Sequence, residues 1–345
     1  MNDTSTTKKY RANVFLKWII SAGPILVILT IGTILRFTNL NWDSFLAFHP
    51  DERNIAWAVT RIHFFDRMNP KFFAYGGLPI YLYRALGDLM SLATRDLRWV
   101  TDWGAIAVIG RYVSATLSTV SIFLIYLVGR SYFSRAVGLA SAVLLAFAPW
   151  AVREAHFATT ETMLVFFLLL LLLLSRRLYA AGSVDNFEMP AEGARVPHSG
   201  ARDRAARKIS SATTAAGFVW GLALAAKTTS LLFGVIPLTA IWITIFEKKM
   251  PKRQFVQSLL LPRIGQTLKL ILVTALIFFL FSPYTLLDLR DFRESMSYES
   301  GVALGRFTVP YTLQFLNTAP YLYQIQTMLW QAGPAAIVGI AGLVC

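Results

Sequence analysis

One cysteine, Cys345, stands alone in 345 residues, and charged residues make up only 15% of the chain. A single thiol excludes a disulfide-stapled secreted domain and a cysteine-based zinc site. So little charge, against roughly 25% in an average soluble domain, excludes a disordered chain and a coiled coil. Acids are scarcer still, with 19 Asp and Glu against 33 Lys and Arg. Several catalytic signatures are missing too. The chain has no P-loop, no GxGxxG, no HExxH and no GxSxG elbow. It also lacks an Asp-x-Asp pair to hold a metal-bound nucleotide sugar.

What the chain has is apolar length. Seven stretches are free of charge: 18–35, 112–129, 136–152, 162–175, 209–226, 228–246 and 270–287. Most reach the roughly 17–25 residues that a membrane-spanning helix needs. No charge follows Arg306 as far as Cys345, which leaves room for an eighth. The last residues, Gly342-Leu343-Val344-Cys345, end inside an apolar run, as in an incomplete membrane domain. The expected fold is all-α and polytopic, a single domain over 1–345 with about eight transmembrane helices.

The charge pattern orients it. With the N-terminus inside, the segments 1–17, 130–135, 176–208 and 247–269 hold nineteen basic residues and six acids. The other side keeps fourteen basic and thirteen acidic residues. This positive-inside bias predicts a cytoplasmic N-terminus in a multi-pass protein of the cell membrane, plasma or inner. The formal charge of +14 therefore faces anionic membrane lipids, not nucleic acid. The first apolar run is as long as a full span, and Thr38-Asn39-Leu40 follow it instead of a small-residue cleavage site. It reads as a retained helix, not a signal peptide.

Between the spans, 36–111 forms a long first outer loop, too rich in Trp, Phe, Tyr and Leu to be a linker. Pro50 with Asp51 and Glu52 opens a helical pattern, since proline suits a first turn and acids suit the positive helix end. Ile55, Val59, Ile62 and Phe65 continue it at helical spacing. Leu82, Leu86, Leu89 and Ala93 share one face of a second helix, and both helices suit the membrane interface. Segment 178–208, rich in Ala, Gly, Arg and Pro, reads as a flexible cytoplasmic loop. Residues 209–246 carry one charge, Lys227. A single helix of that length would measure about 57 Å against a roughly 30 Å hydrocarbon core, so the segment is expected to be a hairpin with Lys227 at its outer tip.

Polar groups collect on one side of this topology: His49, Asp51, Glu52, Arg111 at the start of the second span, Arg153, His156, Glu161 and Lys227. Ionisable groups near a membrane core are functional candidates. Each also has a plainer reading. Asp51 and Glu52 suit a helix dipole, Arg111 and Arg153 can snorkel, His156 suits a structural role, Glu161 can simply begin a helix, and Lys227 can be an anchor. The Gly217–Gly221 GxxxG suits helix packing. Taken together, a carboxylate among cations at a membrane surface suits one chemistry. A sugar on a lipid phosphate has a leaving group that needs charge stabilisation and no proton, while the acceptor hydroxyl needs one base.

The motifs carry a resemblance. Arg36-Phe37 closes the first helix and His49-Pro50-Asp51-Glu52 follows in the first outer loop. Next in order come Gly110-Arg111-Tyr112-Val113-Ser114-Ala115, Pro149 through Glu161, Ala226-Lys227-Thr228 and Phe281-Ser282-Pro283-Tyr284. In this series the chain resembles the GT-C superfamily, of the protein O-mannosyltransferase and aminoarabinose-transferase type. The resemblance implies a glycosyltransferase with a polyprenyl-phosphate-linked sugar donor and an acceptor protein, lipid or glycan on the outer face. It further implies inversion at the anomeric carbon, with Asp51 as base beside Glu52, and Arg111, Arg153 and Lys227 at the donor phosphate. His49, His156 and Glu161 would support them; Glu161 stands where the family more often has Asp. Gly76-Gly77-Leu78-Pro79 replaces the basic Pro-Pro turn of the aminoarabinose transferases. No cofactor or metal is indicated, a divalent cation being left open. The alternative from another class is a secondary transporter or lipid flippase, which would place its ionisable groups nearer the bilayer midplane.

Overall fold

The computed structural model describes residues 22–182, 199–243, 260–319 and 321–333, together with Val256. Among these residues there is no strand, only an isolated antiparallel bridge between His63 and Arg67. The fold is all-α and polytopic, as the apolar runs require. In chain order the helices are α1 (Ala22–Phe37), α2 (Pro50–Thr60), α3 (Gly77–Thr94), α4 (Arg98–Thr101) and α5 (Trp103–Tyr132). They continue with α6 (Arg135–Phe147), α7 (Pro149–Glu154), α8 (Glu161–Gly182) and α9 (Ser199–Ala226). A 3-10 turn (Thr228–Gly234) leads into α10 (Val235–Trp242). The remainder are α11 (Leu261–Phe281), α12 (Tyr284–Leu287), α13 (Leu289–Ala303) and α14 (Leu322–Ala332). Four helices are long and apolar enough to cross a membrane: α5, α8, α9 from Ala206, and α11. Three apolar segments are shorter, Ala22–Phe37, Arg135–Phe147 and Thr228–Trp242. Together they account for the seven charge-free runs; the end of the expected eighth, 334–345, lies outside the described residues.

Helix α5 is the hub. One apolar cluster joins it, through Ile106, to Ile55 and Val59 of α2, Ile80 of α3, Met163 of α8 and Ala223 of α9. A second cluster joins Ile122 and Tyr126 of α5 to Ile25 and Ile28 of α1 and to Ala142 and Ala146 of α6. Its start differs from expectation. The Asp102 side chain caps the helix, accepting from the Ala105 N–H at 2.8 Å, so Arg111 lies more than two turns inside α5 and not at its beginning.

The first outer loop holds two further corrections. α2 begins at Pro50 as its sequence requires, but ends at Thr60, and Phe65 sits at a turn tip, fully exposed at 98% with φ +68°. A bulky residue at positive φ belongs to a turn, so its helical spacing from Ile62 is coincidental. In α3 the buried side is Ile80, Tyr83, Arg84 and Gly87, while Leu89 is exposed and Leu82 and Leu86 line an apolar cavity of about 450 Å³. The leucine stripe therefore faces outward, as in a helix whose apolar side meets lipid. The expected flexible loop is also shorter than 178–208. Helix runs to Gly182 and resumes at Ser199, where Ala and Arg, both good helix formers, alternate. Residues 183–198 lie outside the described residues.

Lys227 breaks the 209–246 segment as expected, in an extended conformation between α9 and the 3-10 turn. The GxxxG of α9 packs on α11. A Cβ on Gly217 would lie 3.0 Å from the Leu270 carbonyl, and one on Gly221 would lie 2.7 Å from the Thr274 carbonyl. The outer ends of the same two helices grip the first outer loop. The Gly76 N–H donates to the Ala226 carbonyl (3.0 Å) and the Gly77 N–H to Ser282 Oγ (2.8 Å). A Cβ on Gly76 would sit 1.9 Å from the Ala225 carbonyl oxygen, closer than atoms can approach. Gly76→Ala should therefore lower the thermal midpoint of the detergent-solubilised protein, by the roughly 1–3 kcal/mol of an overpacked contact. Gly265→Ala, where nothing lies within 4 Å of the added methyl, should leave it unchanged or raise it.

Candidate active site

The polar residues expected on one side divide into a buried joint and an open group. In the joint, the Arg111 side chain is wholly buried and all five of its N–H groups are taken. Nε donates to Glu52 Oε1 (2.8 Å) and Nη2 to Glu52 Oε2 (2.7 Å). Nη1 donates to Asp43 Oδ1 (2.8 Å) and to the Leu40 carbonyl (3.1 Å), and Nη2 to Asp43 Oδ2 (2.6 Å). The Trp42 ring covers the guanidinium, its centroid 4.8 Å away. Glu52, 1% exposed, also accepts from the Ala158 N–H at 2.6 Å. That loop reaches α5 because Gly110 has no side chain, a Cβ there lying 2.4 Å from Ala158 Cβ. Arg111 thus has no donor left for a phosphate, and Glu52 has no free oxygen aimed at a substrate. The two residues expected in donor binding and catalysis are thus engaged with each other and with Asp43 and the Ala158 N–H.

Asp43 was not among the candidates, since nothing local in its loop marks it. Ser44, Phe45 and Ala47 beside it all have positive φ, a strain of order 1–3 kcal/mol each that persists only where the surroundings over-determine it. The Asp43–Arg111 pair is that determinant. The hydrogen bonds from Arg111 hold the Asp43 carboxyl below its ordinary value.

The open group surrounds a different carboxylate. Asp51, half-buried in the first turn of α2, forms no ion pair with any described cation. The Tyr75 hydroxyl faces it, and burial first, then the charges of Asp51 and Glu161, push that phenol well above its ordinary value. Lys227 Nζ lies 5.3 Å from the Tyr75 ring centroid and donates to Glu161 Oε1 at 3.0 Å. Glu161, the first residue of α8, lines a cavity of about 470 Å³ between α5, α6, α7 and α8. Its walls are mostly apolar and run inward to Ser121 and Ser141, midway along their helices. Glu154 also lines it and was missed in the sequence, where Arg153 drew the attention. Burial raises its carboxyl, and Arg153, half-exposed over the Trp150 ring, pairs with it at 2.9 Å. Each open cation is therefore tied to one acid of the cavity.

The histidines are less open. His156 is committed to two backbone carbonyls, with Nδ1 at 2.8 Å from Val152 and Nε2 at 3.0 Å from Thr38. It braces α7 against the end of α1. His49 packs against Phe157 with the rings tilted by 40° and their centroids 4.5 Å apart, and its buried Nδ1 has no hydrogen-bond partner among the described residues. Arg36, which closes α1, reaches the same cavity wall from behind. It donates to Ser118 Oγ and to the Leu145 and Ala146 carbonyls at the C-terminal end of α6. A cation there meets the orphan carbonyls and negative pole of that helix.

Residues 103–187 match the family of dolichyl-phosphate-mannose-protein mannosyltransferases. Among solved structures, the chain is similar to the S. cerevisiae protein O-mannosyltransferase Pmt1-Pmt2 complex bound to the sugar donor. The identity is 16% and the TM-score 0.54, over 79% of this chain and 34% of that one. It is likewise similar to the Archaeoglobus fulgidus oligosaccharyltransferase AglB in complex with an inhibitory peptide and a dolichol-phosphate. Here the identity is 16% and the TM-score 0.53, over 95% of this chain and 37% of that one. The chain thus spans about a third of the length of these proteins. No curated protein matches it. The resemblance to the GT-C superfamily, of the protein O-mannosyltransferase type, is supported by family match and fold together.

Two results should follow from the joint. Arg111→Met leaves two buried carboxylates without a partner and should cost about 3–5 kcal/mol of stability, part of it recovered when Asp43→Asn and Glu52→Gln are added. Asp43, its pKa depressed by folding, contributes stability that is present above its unfolded value and lost as pH falls below about 4. Unfolding followed from pH 7 to pH 3 should show that acid limb in the native protein and a flatter one in Asp43→Asn.

Proposed function

We propose that the protein is a membrane glycosyltransferase that moves a sugar from a polyprenyl-phosphate-linked donor to an acceptor hydroxyl on the outer face. The observation that carries this reading is the contrast between neighbours. Glu52 is spent on Arg111, while Asp51 has no ion-pair partner among the described residues and shares Tyr75 as a neighbour with Lys227, whose own partner Glu161 lines the apolar cavity. The polyprenyl chain lies in the apolar cavity between α5, α6 and α8, with its phosphate at the outer end. There Lys227 and Arg153 each retain N–H donors beyond those given to Glu161 and Glu154. Two of the three phosphate ligands expected from the sequence keep that role, and Arg111 gives it up.

The reaction is a single displacement. The acceptor oxygen attacks the anomeric carbon from the face opposite the phosphate, and Asp51 takes the hydroxyl proton as the new C–O bond forms. The old bond to the phosphate oxygen breaks with its electron pair, and polyprenyl phosphate leaves bearing one further negative charge. Lys227 and Arg153 stabilise that charge by charge-assisted hydrogen bonds. The configuration inverts. The acceptor is a hydroxyl of a protein, lipid or glycan, and the N-terminus and the segment 178–208 face the cytoplasm.

The test is turnover by the purified protein on a panel of polyprenyl-phosphate sugars, read as release of polyprenyl phosphate. Asp51→Asn keeps the shape of the side chain yet accepts no proton, so turnover should fall by roughly 10²–10⁴ with donor binding retained. Asp66→Asn, exposed in the same loop, should change little. Loss of less than ten-fold in Asp51→Asn overturns the assignment of the base. Lys227→Gln should weaken binding of polyprenyl phosphate about ten- to a hundred-fold, as the loss of one charged hydrogen bond of roughly 1.5–3 kcal/mol requires.

A further inference from the structure

The loop that carries Tyr75 has no secondary structure of its own, yet it is the most tightly held part of the open group. Its backbone is tied at Gly76 to Ala226 and at Gly77 to Ser282, with no room at either glycine for a side chain. Ala226 is the residue before Lys227, so Tyr75 and Lys227 sit on two strands of chain joined by one backbone hydrogen bond. On its far side the Tyr75 ring meets Phe72 at 6.0 Å, and Phe72 meets Trp57 of α2 at 6.4 Å. Tyr75 is thereby packed between the helix that bears Asp51 and the turn that bears Lys227. Its two ends face the two groups that matter. The ring face lies under the Lys227 ammonium at 5.3 Å, and the hydroxyl faces the Asp51 carboxylate. A phenol kept protonated by burial and by neighbouring carboxylates can only donate to such a group.

We propose that Tyr75 is a positioning residue for the transfer, its hydroxyl aiming the Asp51 carboxylate at the acceptor and its ring fixing the Lys227 ammonium at the donor phosphate. The inference rests on the reading of Asp51 as base and Lys227 as phosphate ligand, and adds the residue that sets their separation. No resemblance pointed to Tyr75. A lone tyrosine before two glycines is visible as a function only once α9 and α11 close around it.

The two roles separate by substitution. Tyr75→Phe keeps the ring and loses the hydroxyl; Tyr75→Leu loses both. With the panel donor that turns over fastest, Tyr75→Phe should lower kcat about three- to ten-fold, the size of one neutral hydrogen bond. That change should appear in kcat and not in donor affinity. The Kd for polyprenyl phosphate alone should stay within two-fold. Tyr75→Leu should show the same kinetic change and also raise that Kd several-fold, through loss of the cation–π contact. An unchanged kcat in Tyr75→Phe overturns the hydroxyl's role. An unchanged Kd in Tyr75→Leu overturns the ring's role, and should Tyr75→Leu fail to fold, Tyr75→Phe still decides the first. Failure of the underlying reading shows elsewhere, as retained turnover in Asp51→Asn, whatever the Tyr75 variants do.

Discussion

A guanidinium buried inside a membrane protein needs its charge answered, and Arg111 is answered twice. The two carboxylates that do so come from the first outer loop and from α2, while Arg111 itself sits on α5, the helix shared by both apolar clusters. Desolvating three charges is costly, and the geometry offsets this with five hydrogen bonds from Arg111, the Ala158 N–H on Glu52 and an indole face over the cation. The joint carries one net negative charge, which the Ala158 amide partly meets. The joint ties together the loop around Asp43, the first turn of α2 and the segment leading into α8, beside the apolar cluster that already packs α2 and α8 on α5.

The membrane part of the fold was legible in the sequence because its determinants are local. Charge-free runs mark spans, Pro149 and Pro283 mark ends, and Pro50 with two acids marks a helix start. What was not legible depends on partners distant in the chain. Arg111 reads as the edge of a span, since the apolar stretch before it is short, and only the Asp102 cap shows that the helix starts eight residues earlier. Asp43 shows no pattern at all; its partner is 68 residues away. Glu154 was hidden by its neighbour Arg153, and the outward turn of the α3 leucines follows from lipid reversing the usual rule of burial. The candidate site was half-legible for the same reason. Its residue types are visible in the sequence, whereas which acid is spent on Arg111 and which has no ion-pair partner among the described residues follows from packing.

The open group is balanced differently. Lys227 with Glu161, and Arg153 with Glu154, are partly exposed pairs at the rim of an apolar groove. Such pairs add little stability. Each cation is held in place without being saturated, since Lys227 and Arg153 keep N–H groups beyond those given to their carboxylates. The start of α13 is moored nearby by Lys71, which reaches Asp288 at 2.6 Å and Asp291 at 3.0 Å, raising the lysine and lowering Asp288 from their ordinary values. These contacts are solvent-exposed, so this mooring weakens with ionic strength while the Arg111 joint does not.

Asp51 and Glu52 are consecutive in a helix, about 100° apart around its axis, so they cannot share a task and cannot move independently. Glu52 is clamped to a rigid hub and Asp51 is the next residue along the same stiff rod. The free carboxylate inherits its angular accuracy from the bound one. A chain that inserted a residue between the clamp and the pointer would keep both acids and lose the bearing. The spacing, more than either residue, is what the first turn of α2 encodes.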